Sequence, residues 1–423
     1  MNITRMPSKA TGFQTFTGME YVKIDIANQF GLDHENFETR IRWVDDNDHQ
    51  LDNLVIDADE PALFSKAIRA LEDGKAGKPT GYVMGMDACA SGVQILSCLT
   101  GCLVGATHTG LIDPTQRKDL YSIAVEAMNV YLTEDSQVSF NGDGLNRKGV
   151  KNAVMTHFYG SKAQPKQIFG EGSDEYIAFY NSLDDLAPGA NMATAMMIGS
   201  WQPFDEYHTW IMEDGFNVYI PVIKERVIKV EVDELDHATF SHIIREVEGT
   251  ESGLSLAANI THSVDGLVVR EMQDRCNYVA EAVTAALKVV RNELVDARNI
   301  TTIRSEVPLA DRRKFLATNT CVDITPTAAA SMSTVMLERV AIRLSQLVDN
   351  RSFPILTIHD EFKAAPNNMN RLRWWYKEIL AELADSDMLQ DILRQVTRDD
   401  SIVIKKLHKD LGSLIRNSNY ALS

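Results

Sequence analysis

Apolar positions in "ENFETRIRWVDDN" and "PALFSKAIRALEDG" recur every three to four residues, which predicts a mostly helical stretch over 17–75. The pattern then changes. "TGYVMGMDACASGVQ" opens with a short apolar run that predicts a buried strand over 82–86, with Asp87 at its end and a helix from about Ser91. "LYSIAVEAMNVYL" predicts a second amphipathic helix, and another begins near Arg147. Over 210–247, alternation of period two ("WIMEDGFNVYIPV", "RVIKVEVDEL") predicts strands, with a turn at Asp214-Gly215. Long helical stretches are expected over about 267–297 and 328–347, separated by an irregular piece containing "PLADRRKF". Near the end, "FPILTIHDEFKAAP" predicts an apolar strand, a tight turn at His359-Asp360 and a return strand, followed by a helical tail. The fold class expected is α+β, mostly helical, with a small antiparallel sheet.

One of these helices carries an ordered series. In "NRKGVKNAVMTHFYGSKA", Arg147, Lys151, Met155 and Tyr159 follow each other at intervals of four. Such residues lie nearly in line, about 6 Å apart at ~1.5 Å rise per residue. Two cations lead to a thioether and then a phenol, and Gly160 suits a helix stop. The order and reach match a nucleotide, with phosphates at the basic end and base and sugar at the other. A surface helix with an amphipathic edge produces the same Arg/Lys spacing, so the series alone leaves both readings open.

Composition alters this little; charge alters it more. A chain of 423 residues, 44% hydrophobic and 24% charged, is long enough for two or three units with filled cores. The five cysteines form no CxxC pair and leave one odd, against a disulfide framework or a zinc finger. "MNITRMPSKATGF" lacks a signal-type apolar stretch and no apolar run approaches a membrane span, so an intracellular location and no membrane partner are expected. A net charge of −17 argues against coating nucleic acid with the whole surface. Phosphate contacts must then come from a local basic cleft, bound metal or a more positive partner chain.

Asp87 and Asp360 each close a short apolar strand, where a lone carboxylate is costly. If the strands are neighbours, the two acids repel unless divalent metal lies between them. Paired Mg2+ ions about 3.5 to 4 Å apart activate an attacking hydroxyl and stabilise a leaving phosphate. Either aspartate by itself also reads as a strand-end turn residue.

In order, these segments resemble motifs A, B and C of the single-subunit RNA polymerases of bacteriophages and mitochondria. "DACASGVQ" matches D-x-x-x-S-G-[IV]-Q, the 147–160 series matches motif B, and "HDEF" stands for motif C. "YVKIDIAN", Tyr121 in "KDLYSIAVEAMN", "HSVDG" at His262 and the ending "IRNSNYALS" resemble further family segments. The resemblance implies the palm and fingers of a right-hand polymerase with a small antiparallel palm sheet. Its parts would be a helical lead-in (1–80), a palm segment with motif A (81–125), fingers with the motif B helix (126–210), a hairpin region with HSVDG (211–266), a helical region with an insertion (267–350), and motif C with a C-terminal foot (351–423).

It further implies DNA-templated RNA synthesis from NTPs, with two Mg2+ ions held by Asp87 and Asp360 and helped by the Ala88 carbonyl. Arg147 and Lys151, joined by Lys23, would grip the triphosphate. Met155 would pack on the nascent base pair, Tyr159 and His262 would judge the sugar, and Tyr121 would act in translocation. In such a bacteriophage enzyme the location implied is the cytoplasm of a bacterial host.

Family A DNA polymerases share the R-x3-K-x3-aromatic-x3-Y-G helix and the HDE of motif C. They carry a Glu five residues after the first metal aspartate, where it blocks a 2'-OH. Gly92 stands there in this chain and leaves room for ribose, which favours NTPs. A non-catalytic nucleic-acid-binding remnant of a polymerase is the other alternative, and intact Asp87, Lys151 and Asp360 stand against it. Three departures are visible: a long spacing between HSVDG and HDEF that implies an inserted element near 290–326, Gln164 where the family tends to have an aromatic, and acid-rich sequence over 224–249. Equivalents of the family's N-terminal domain, thumb and D-x-x-G-R segment are not found. The expectation is therefore a heterodimer whose second polymerase chain supplies them, as in the split polymerase of certain podoviruses. Template DNA, nascent RNA and NTPs are the other partners, and the need for a single-stranded DNA-binding protein stays open.

Overall fold

The computed structural model describes residues 12–132, 146–222, 224–246, 254–299 and 315–423. Helices dominate, and their first turns are closed by local chemistry. Thr17 and Glu20 form a capping box on the helix Gly18–Ala27, Asp119 caps Leu120–Tyr131, and the Asn146 side chain accepts from the Gly149 amide at the start of Arg147–Phe158. Each cap satisfies amides that an opening turn leaves without partners.

The strands form three small antiparallel sheets. β1 (Met84–Asp87) belongs to one of them. β2 (Tyr207–Ile211) and β3 (Asn217–Pro221) make a hairpin, and β4 (Lys224–Val232) and β5 (Ala238–Glu246) make a second. β6 (Leu356–Ile358) and β7 (Glu361–Ala364) return to β1, giving the order β1-β7-β6. β1 pairs with β7 from Met84↔Ala364 to Asp87↔Glu361. His359 adopts the left-handed φ of 54° that the two-residue loop between β6 and β7 requires. Gly85 is fixed by close approach: a Cβ there would sit 2.1 Å from Glu361 Oε1, so a side chain cannot be added without moving that carboxylate. Met84, Met86, Phe362 and Ala364 turn into the core, where the sheet rests on the helix Met369–Asp385 with its buried Trp375, Tyr376 and Leu380.

Two helix boundaries differ from expectation. The helix carrying His262 begins at Leu254 rather than near 267, so "HSVDG" lies inside it; Leu256, Ile260, Val264 and Leu267 form its buried stripe. The stretch expected to continue to 297 breaks after Cys276, where Tyr278 donates its amide to Ser352 Oγ at 3.0 Å, and restarts as Ala280–Asn299. Residues 300–314, the centre of the expected insertion and most of "PLADRRKF", lie outside the described residues.

Behind the sheet, three long helices meet at a buried ionic network. Arg275 bonds Glu271 at 2.8 Å and reaches both Glu382 oxygens at 3.1 and 2.9 Å. Arg343 also bonds Glu382, and Thr318 donates to Glu271 through its amide and its hydroxyl at 2.7 and 2.8 Å. Burial opposes the Glu382 charge, yet the two guanidinium groups hold its carboxyl down at about 2. Among the described residues no helix is long and apolar enough to cross a membrane, and all five cysteines are free and buried.

Candidate active site

Asp87 is the last residue of β1, and Asp360 is the second residue of the hairpin loop that precedes β7. Because Asp87 lies opposite Glu361 in the register, both aspartates emerge at the same end of the sheet. Neither is buried outright: Asp87 is open to a cleft and Asp360 is half-buried. The walls still limit hydration. That burial, reinforced by the Asp360 charge, pushes the Asp87 carboxyl up to about 6, against the opposing pull of the Ala88 amide and, more weakly, Lys151. The Ala88 N–H donates to Asp87 Oδ1 at 2.9 Å.

After Cys89, Ala90 at φ 56° swings the chain into the helix Ser91–Thr100. The cleft at this junction, of about 320 Å3, is lined by Asp87, Ala88, Gly92, Tyr121, Arg147, Lys151, Met155, Tyr159 and Asp360. The Arg147–Phe158 helix buries Val150, Ala153, Val154 and Phe158 on one side and turns the four-residue series to the cleft on the other. Gly160, at φ 82°, follows its end and donates to the His157 carbonyl at 2.8 Å.

The basic end is organised by Asp119. Arg147 reaches its carboxylate through Nε at 2.8 Å and Nη2 at 2.6 Å. The Arg147 and Lys151 cations lie 5.8 and 5.4 Å from the centre of the Tyr121 ring. Burial works against the Asp119 charge, but bonds from Ser122 and Arg147 win and keep its carboxyl below the usual range. At the other end Tyr159 stacks on His262, with centroids 4.4 Å apart and planes 9° from parallel. Burial, with the Asp265 and Asp360 charges, raises the Tyr159 phenol to about 12, opposed by a hydrogen bond with Ser91. Burial and then His359 lower the His262 imidazole. A Cβ at position 92 would lie 3.3 Å from the Tyr159 hydroxyl, so any side chain there presses on the phenol.

Lys23 is not brought to this group. Its ammonium pairs with Asp45 at 2.5 Å, on the helix Phe37–Asn47, and it does not line the cleft. Sequence reasoning passed over Arg117, Asp119 and Glu361, which line the cleft, and Asp265, whose carboxyl burial and the Asp360 charge raise to about 6. Asp119 carried a signal, an aspartate just ahead of a helical pattern; Asp265 lay inside a motif already quoted.

Comparison with known proteins bears on this arrangement. Residues 14–169 match the family model of DNA-dependent RNA polymerase. The chain is 23% identical over 301 residues to the DNA-directed RNA polymerase of Pseudomonas phage phiKMV, covering 59% of this chain and 37% of that one. Over those residues the chain is similar to DNA-dependent RNA polymerases. It is also 33% identical over 161 residues to a probable DNA-directed RNA polymerase of Neurospora crassa, covering 34% of this chain and 18% of that one. With the mitochondrial DNA-directed RNA polymerase of Schizosaccharomyces pombe it shares 28% identity over 163 residues, covering 34% and 14%. The chain thus spans little over a third of its phage relative's length and under a fifth of the two fungal ones. The family match takes in Asp87 and the 147–159 series; Asp360 and His262 lie beyond it and join that group through the fold.

Proposed function

We propose that this chain forms the palm and fingers of a DNA-templated RNA polymerase and transfers a nucleotidyl group from an NTP to an RNA 3'-OH. The sheet β1-β7-β6 is the palm, and the Arg147–Phe158 helix belongs to the fingers. One observation carries the reading: Asp87 and Asp360 open into the same cleft as the Arg147 and Lys151 end of that helix.

Two Mg2+ ions fit the acidic end. The donors on offer there are carboxylate and carbonyl oxygens, which Mg2+ prefers, and two crowded aspartates are relieved by a cation between them. When bound, the ions supply activation of the attacking hydroxyl and stabilisation of the leaving pyrophosphate. The chain does the rest. Asp87 and Asp360, with the Ala88 carbonyl, hold the ions, while Arg147 and Lys151 neutralise the triphosphate. Met155, which is exposed to the cleft, packs on the nascent pair. Tyr121, in reach of both cations, is placed to respond when their phosphate load departs, as translocation requires.

Gly92 favours ribose over the family A DNA polymerase alternative. A Glu there would press on Tyr159 and occupy the space beside the sugar, and its absence leaves the phenol and His262 to contact a 2'-OH. Primer extension with NTPs against dNTPs tests this directly: preferential dNTP incorporation would replace the RNA polymerase reading with the DNA polymerase one. Tyr159→Phe is expected to reduce the NTP preference about tenfold, the value of one hydrogen bond of ~1.4 kcal/mol, with a rate loss of less than about threefold. Competition between an NTP and its 2'-deoxy analogue measures both.

The same reading includes a partner chain with the thumb and the template-holding surface. The net charge of −17 and the partial span of the phage relative support it. Co-expression with the neighbouring reading frame should yield a heterodimer that binds primed template, whereas tight template binding and full extension by this chain by itself would exclude the need for one.

A further inference from the structure

Gln94 closes the "DACASGVQ" motif, and the proposed chemistry does not use it. It is fully buried in the helix Ser91–Thr100. Its amide is engaged at both ends: Nε2 donates to the Thr109 carbonyl at 3.1 Å and the Ala421 carbonyl at 3.0 Å, and Oε1 accepts from the Tyr376 hydroxyl at 2.9 Å. One side chain therefore ties its own helix to three other segments, of which those at Tyr376 and Ala421 are remote in sequence.

The two residues after Ala421 reach the candidate metal site. Leu422 forms an antiparallel bridge with Ala88, and the Ser423 amide donates to the Asp87 carbonyl at 3.1 Å. The order β1-β7-β6 gives β1 a strand partner on one side only among the described residues, so at Asp87 and Ala88 this backbone fills the other edge. Ala88 is also the residue whose amide holds the Asp87 carboxylate. The segment just upstream has separate anchors: Arg373 donates to the Asn419 carbonyl at 2.7 Å, and Lys377 to the Arg416 and Ser418 carbonyls at 3.0 and 2.6 Å. Ser423 has one side-chain anchor of its own, Arg117 Nε donating to its hydroxyl at 3.1 Å, so loss of the Gln94 amide would loosen residues 421–423 without detaching the tail.

We propose that Gln94 is a positioning residue for Asp87, clasping the 421–423 backbone against the strand end that carries the carboxylate. The inference rests on the reading of Asp87 as a divalent-metal ligand. An outer group that fixes a ligand changes metal affinity by roughly 10- to 100-fold, whereas a group that only stabilises the fold does not.

The test is titration of the full chain with Mn2+, following free ion by electron paramagnetic resonance. Wild type should bind saturably and Asp87→Asn should lose that binding. Gln94→Met, similar in shape but without the amide, should bind about tenfold more weakly; Tyr376→Phe, which removes only the bond to Oε1, about threefold. Glu382→Gln, outside the cleft, is the control for destabilisation and should lower the melting temperature with Mn2+ affinity unchanged. If both Gln94→Met and Tyr376→Phe bind as wild type does, or if Glu382→Gln weakens binding equally, the proposal is overturned. Should Gln94→Met not fold, an unchanged affinity in Tyr376→Phe overturns it alone. A wild-type chain without saturable binding would instead remove the metal-ligand reading of Asp87 itself.

Discussion

Asp360→Asn is expected to lower nucleotide incorporation by at least about 10^3-fold if, as proposed, it withdraws one of two charges that hold paired ions at the transition state. The substitution keeps the shape of the side chain, so the hairpin loop is retained. It also removes a repulsion. Burial is the main cause of the raised carboxyls of Asp87 and Asp265 and of the raised phenol of Tyr159, and in each the Asp360 charge adds to it. With that charge gone the folded state loses a source of strain, so stability should hold or rise slightly. Activity and stability therefore part company. Single-turnover extension of a primed template, run beside a thermal melt of the same preparation, checks both. Incorporation within tenfold of wild type would end the two-ion mechanism for this site.

Glu382→Gln should have the largest effect on stability, about 3–5 kcal/mol, read from denaturant unfolding. The substitution strips the shared counter-charge from Arg275 and Arg343, which are buried, and leaves Glu271 to serve both. The pH dependence has a definite sign. The folded-state carboxyl of Glu382 is depressed to about 2 from an ordinary value of 4.5, so its contribution is complete above pH 4.5 and is lost as pH falls from there through about 2. A depression of that size corresponds to roughly 3 kcal/mol at ~1.36 kcal/mol per unit. The gap between wild type and Glu382→Gln should accordingly close on acidification across that window. A gap constant from pH 7 to pH 2 would mean that packing, not charge, carries the effect.

The range of each interaction decided whether it could be read in the chain. The 147–159 series was visible because a period of four is local, and the strand-turn-strand around His359-Asp360 because two-residue loops have a narrow chemistry. The pairing of Lys23 with Asp45, which sits on another helix, is a contact no spacing rule reports. The early start of the helix Leu254–Cys276 was hidden by buried Thr261 and Ser263, which break the apolar stripe. Their hydroxyls bond back to the Ala257 and Ile260 carbonyls at 2.9 and 2.7 Å, which lets polar residues sit inside the core. Asp119 was missed for a related reason: its role as the anchor of Arg147 exists only once two helices meet.

The pairing of β1 with β7 also sets when the two aspartates can come together. A ribosome adding ~5–20 residues per second needs roughly half a minute to pass from one strand to the other, and throughout that time Asp87 has no neighbouring strand. A nascent chain released before the β6–β7 loop carries Asp87 and the Arg147–Lys151 cations but lacks Asp360, so the cleft has only half of its acidic pair.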